Sequence, residues 1–74
     1  MTIEGVKVKV LEYLGEAEMY GFPYGVGRDI LLDHFGIEDK TKDIYIFNRA
    51  IHQMLKDDII FLTNTGYYKI NKVR

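Results

Sequence analysis

Apolar residues return at helical spacing through the first segment of the chain: Ile3, Val6, Val10, Leu14 and Ala17 share one face, with Thr2 placed to cap it. Val6, Val8 and Val10 also alternate, so a strand is the rival reading. The run is too long for a strand, and Glu12, Glu16 and Glu18 suit the wet side of a helix. A helix is therefore predicted, stopped at Gly21. The stretch "YGFPYGVG" (20–27) mixes glycine, proline and aromatics, too constrained for a helix interior; it predicts a short strand near 22–25, with Pro23 at an edge position. "RDILLDHF" (28–35) reads as a short helix burying Ile30, Leu31 and Phe35, begun after Gly27 and closed by Gly36. "GIEDK" is a turn. A third helix spans 41–57, and the β-rich runs "IIFLT" and "YYKIN" flank Asn64, Thr65 and Gly66. That is a hairpin with a three-residue loop in which Gly66 takes the left-handed position.

The third helix carries the most information. With Ile44 at zero and about 100° per residue, Ile44, Phe47, Ala50, Ile51, Met54 and Leu55 form a broad apolar face. Opposite lie Lys42, Tyr45, Arg49, His52, Gln53 and Lys56, with Asn48 at the margin; Asp43 and Asp57 project elsewhere. Arginine offers a fork of donors that matches guanine O6 and N7. Asparagine and glutamine pair with adenine N6 and N7, and lysine and tyrosine reach phosphate oxygens. A donor-rich strip without acids fits the major groove of DNA. The same residues also serve a face that only meets water, since Lys, Arg and Gln are good helix formers there.

Composition narrows the classes. Seventy-four residues, 47% hydrophobic and 28% charged, make one globular domain over 1–74. There is no cysteine, hence no disulfide framework, thiolate metal site or thiol nucleophile. The longest apolar runs, "IYIF" and "IIFL", span no membrane, and no basic segment leads an apolar block as in a signal peptide. A cytoplasmic domain is expected. The net charge of −1 argues against a generic basic coat, but its distribution is uneven. Residues 1–20 hold two lysines and four glutamates, whereas 59–74 hold Lys69, Lys72 and Arg74 and no acid.

In this order of elements the chain resembles a winged helix-turn-helix domain. The likeness covers nearly the whole sequence: helix, short strand at "FPYGV", helix, turn, helix, and a wing at "IIFLTNTGYYKI". Its local signature is "FNRAIHQMLKDDII", a recognition helix with the core pair Ala50-Ile51 running into the first wing strand, followed by the return strand "TGYYKI". Asp58 stands where the family often has glycine, and aspartate tolerates the left-handed conformation better than most residues. The turn "GIEDKTK" is acidic and somewhat long for the family. The resemblance implies an α+β fold of three helices, a C-terminal two-stranded wing and a short third strand near 22–25. It also implies sequence-specific binding of double-stranded DNA by a small transcriptional regulator, with helix 41–57 in the major groove and wing 59–72 on the backbone or minor groove. Lys42, Tyr45, Asn48, Arg49, His52, Gln53 and Lys56 then become base or phosphate contacts, joined by Asn64 and Thr65 at the wing tip and Lys69 on its return strand. The alternative is a winged-helix module that docks onto a protein, which the acidic first helix favours.

Other patterns add less. His34 and His52 lie on different helices with no metal-ligand spacing; the expectation is a partly buried His34 and a surface His52. No catalytic site, metal, cofactor or small-molecule ligand is evident. On the first helix, Val8, Leu11, Gly15 and Met19 form a stripe away from its main apolar face. Two such stripes packing around Gly15 would give a homodimer reading half-sites about one helical turn apart. Equally, Leu11 belongs to the core's edge and Val8 and Met19 lie against the aromatic loop.

Overall fold

Thr2 starts the first helix as its position predicts. Its backbone is extended and its Oγ1 accepts a hydrogen bond from the Gly5 N–H at 3.0 Å. One donor of the opening turn is thereby satisfied, a contribution of about 1 kcal/mol. The computed structural model describes residues 1–20, 25–38 and 41–72. Along the chain run α1 (Ile3–Met19), β1 (Val26–Gly27), α2 (Arg28–Phe35), α3 (Lys42–Lys56), β2 (Ile60–Leu62) and β3 (Tyr67–Ile70). The fold is α+β, three helices with a small three-stranded antiparallel sheet.

The core is made where α1 meets α3. Val6, Val10, Leu14 and Ala17 of α1 join Ile44, Phe47, Ala50, Ile51 and Met54 of α3 in one buried cluster, with Val26, Leu31, Ile60 and Tyr68 closing its sides. Phe47, Leu14, Leu31, Met54 and Ile60 are fully enclosed. Burial of each side chain of this size stabilises by about 1.5–3 kcal/mol. Because the two helices bury facing sides, their wet faces point away from each other.

The end of α3 fixes where the hairpin begins. Asp58 adopts φ 58°, the Ile59 N–H reaches back to Met54 O at 2.9 Å, and the Asp58 N–H donates to Leu55 O at 3.2 Å. These two bonds form a Schellman stop, here with aspartate in the left-handed position where glycine is usual. Beyond it, the Thr63 N–H donates to Tyr67 O at 2.7 Å and the Tyr67 N–H to Thr63 Oγ1 at 3.1 Å, leaving residues 64–66 as the loop. Gly66 takes φ 86° within it.

Two expectations are corrected. The described short strand is Val26–Gly27, with Gly25 just before it and not in it; Gly21 and residues 22–24 of the expected strand lie outside the described residues. Its place is set by pairing with β3, Val26 against Tyr68 and Gly27 against Tyr67, a long-range choice that two residues cannot announce locally. The hairpin is accordingly part of a sheet of order β1-β3-β2, with Ile60 opposite Ile70 and Phe61 opposite Lys69. Finally, α2 buries only Leu31 fully: Phe35 is half-buried and Ile30 is 53% exposed. Eight residues present one narrow face inward, and Ile30 lies about 100° around the helix from Leu31. Within the turn "GIEDK", residues 39 and 40 are outside the described residues, and the Thr41 hydroxyl donates to Glu38 O at 2.8 Å. No described helix is long and apolar enough to cross a membrane.

Candidate nucleic-acid interface

The helical period places the polar residues of α3 on its outer side, and the fold leaves that side open. Lys42, Tyr45, Asn48, Arg49, His52 and Lys56 are exposed and Gln53 is half-buried. Tyr45, at 68% exposure, is the only large hydrophobic exposed on α3. None of Lys42, Arg49 and Lys56 forms an ion pair with a described residue. The cations that are paired lie elsewhere: Lys7 with Glu4 at 3.5 Å, and Lys72 with Glu18 at 2.6 Å, which ties the chain after β3 to α1. The glutamates of α1 thus occupy one side of the molecule and the free donors of α3 the other. A net charge near zero conceals a sided surface.

Arg28, which the sequence reading did not single out, belongs to this side. It is the first residue of α2, directly after β1, and its guanidinium lies over the Phe47 ring, 5.3 Å from the centroid. From there its Nη2 donates to Asn48 Oδ1. The Phe47 ring that carries it is itself held edge-on by Phe35 at 5.9 Å. A cation–π seat of this kind contributes about 0.5–1 kcal/mol near the surface and restricts the guanidinium's position. The contact joins residues twenty apart in sequence, and no local pattern signals it.

In the hairpin, Asn64 and Thr65 are exposed at the tip, and the Thr65 hydroxyl meets that of Thr63 at 3.0 Å. Lys69 is half-buried, because its stem lies across Gly25 of the neighbouring segment. Phe61, Tyr67 and Lys69 share the sheet face turned from the core, whereas Ile60 and Tyr68 face inward. Long cationic side chains commonly lay their methylenes on the protein and keep the ammonium in water.

No family model, curated protein or solved structure matches this chain.

The remaining candidates do not gather at this face. On α1, Val8 and Met19 are 55% and 76% exposed, but Leu11 packs against the core and Gly15 lies beside the Ile70 side chain, 3.9 Å from where a Cβ would stand. Part of that stripe is therefore occupied within the chain. His34 is exposed rather than partly buried, and it stacks on Tyr13 with ring centroids 4.0 Å apart. His52 is exposed on α3. Among the described residues, no three His, Asp or Glu side chains converge as metal ligands would.

Proposed function

We propose that the chain is a winged helix-turn-helix protein that binds double-stranded DNA sequence-specifically as a small transcriptional regulator. In this reading α2 and α3 are the helix-turn-helix, α3 enters the major groove, and β2 and β3 form the wing on the backbone or minor groove. One observation carries it: α3 holds out an exposed strip of donors whose cations have no ion-pair partner among the described residues and in which no acid is set. A lysine or arginine that neutralises a phosphate releases the counterion condensed there, and one without an ion-pair partner gives up none to do so. A surface for docking a protein would present an apolar patch at that position, and Tyr45 alone does not make one.

Arg49, Asn48, Gln53 and His52 are assigned to base edges, and Lys42, Tyr45 and Lys56 to phosphates, with Asn64, Thr65 and Lys69 on the backbone beside the wing. One domain of this size offers few contacts, so two copies on one site belong to the same reading.

The test is retention from a pool of random duplexes at low and at moderate salt, followed by sequencing. A steep salt dependence with an enriched motif is expected. Failure to retain duplex even at low salt would overturn the reading. It would leave the protein-docking module, for which the exposed Tyr20 and Ile30 beside Tyr13, Ala17 and Val26 are the observation.

A further inference from the structure

We infer that Arg28 determines what Asn48 reads, restricting it to guanine; the inference rests on the DNA reading above. An asparagine free to turn presents an acceptor and a donor side by side, and that pair matches adenine N6 and N7 in the major groove. Asn48 is not free to turn. Arg28 Nη2 donates to its Oδ1, and a guanidinium has donors only, so the carbonyl must face Arg28 and the amide NH₂ must face away. The usual ambiguity between the two ends of an asparagine side chain is thereby resolved by chemistry.

The second lone pair of Oδ1 does not restore the adenine pairing. An adenine amino group approaching that oxygen would bring its partly positive hydrogens beside the guanidinium cation, which repels them. What Asn48 offers to a base is its two N–H donors, and the remaining N–H groups of Arg28 add more donors next to them. A surface of donors alone matches guanine O6 and N7, both acceptors.

The arrangement is held from behind. Arg28 is half-buried, seated over Phe47, and its backbone is fixed because β1 is paired to β3 immediately before α2 begins. Arg28 is thus a positioning residue for Asn48 as well as a donor beside it. Nothing in the α3 sequence alone would reveal this, because an Asn on a recognition helix reads by default as an adenine contact.

The experiment compares motifs selected from a random duplex pool by the native chain and by Arg28→Met, Arg28→Lys and Asn48→Ala. Methionine keeps an apolar stem over Phe47 and removes the donors; lysine keeps a cationic donor. The native motif should contain a guanine preferred over adenine by roughly tenfold, the scale of one good bidentate base contact. Asn48→Ala should erase the preference at that one position. Arg28→Met should convert it to adenine, and Arg28→Lys should retain guanine. A motif unchanged by Arg28→Met, or unchanged by Asn48→Ala, would overturn the inference while leaving DNA binding intact. A native motif with adenine at the Asn48 position would do so as well, and loss of no base preference with uniformly weaker binding would make Asn48 a phosphate contact instead. Should Arg28→Met fail to fold, Arg28→Gln takes its place: its amide can accept as well as donate, so it no longer forces the Asn48 carbonyl inward, and guanine should relax to guanine or adenine, whereas an unrelaxed guanine would overturn the inference. If no chain enriches any duplex, the DNA reading fails and this inference with it.

Discussion

Gly25 passes so close to Tyr68 that a Cβ on it would stand 2.7 Å from the Tyr68 carbonyl oxygen and 2.8 Å from Lys69 Cγ. Its φ of 97° is one that side-chain-bearing residues rarely adopt. This approach seats β1 on β3 and so sets where α2 starts and where Arg28 stands. Gly25→Ala is expected to cost roughly 2 kcal/mol or more, combining the left-handed penalty with a backbone clash. Gly36 provides the control: its φ is 67°, but nothing lies within 4 Å of a Cβ there. Gly36→Ala should cost only about 1 kcal/mol. Urea unfolding of both variants checks this, and equal losses would contradict it.

Asp58 offers a change in the opposite direction. It closes α3 at φ 58°, where an L-residue bears a strain of about 1–2 kcal/mol that aspartate only partly relieves. Asp58→Gly is predicted to raise stability by up to about 1 kcal/mol, offset in part by the looser unfolded chain. Asp58→Val should lower it, since β-branched residues fit this conformation worst. The denaturation midpoints rank the three, and a glycine variant less stable than the valine one would refute the strain argument.

Much of this fold was legible in the sequence, and the parts that were not share a cause. α1 and α3 could be read because the helical period of Val6, Val10 and Leu14, and of Ile44, Phe47, Ile51 and Met54, marks the buried face directly. The stop at Asp58 and the turn at Gly66 follow from backbone preference. By contrast, Val26–Gly27 becomes a strand only through Tyr67 and Tyr68, some forty residues away. Ile30 looked buried because it is apolar, yet α2 turns only Leu31 fully inward. His34 found the ring of Tyr13 instead of the interior. Of the candidate site, the outer strip of α3 was readable from period and residue type, whereas Arg28 enters through a tertiary contact with Phe47 and Asn48. Contacts of that kind leave no spacing to detect.

Arg49 stands exposed near the middle of the α3 strip. If it reads a guanine, Arg49→Ala weakens binding to the selected duplex by about 1–3 kcal/mol and barely affects random duplex. Fluorescence anisotropy against both duplexes measures the difference. An equal loss on both would reassign Arg49 to phosphate, and no loss would remove it from the interface.

Lys69 should behave differently. Its stem lies on Gly25, so Lys69→Gln keeps most of that packing while removing the charge. Binding should weaken to all sequences alike, and the slope of log K against log salt should become shallower by about 0.9, one phosphate contact. A sequence-selective loss at constant slope would contradict a backbone role for the wing.

Backbone amide chemical shifts on titration with the selected duplex show whether the outer face of α3 meets DNA. Shifts should concentrate at Lys42, Tyr45, Asn48, Arg49, His52 and Lys56, extend to Asn64 and Thr65, and leave the glutamate-bearing face of α1 unmoved. Shifts confined to α1, or none at a saturating duplex concentration, would contradict the DNA reading.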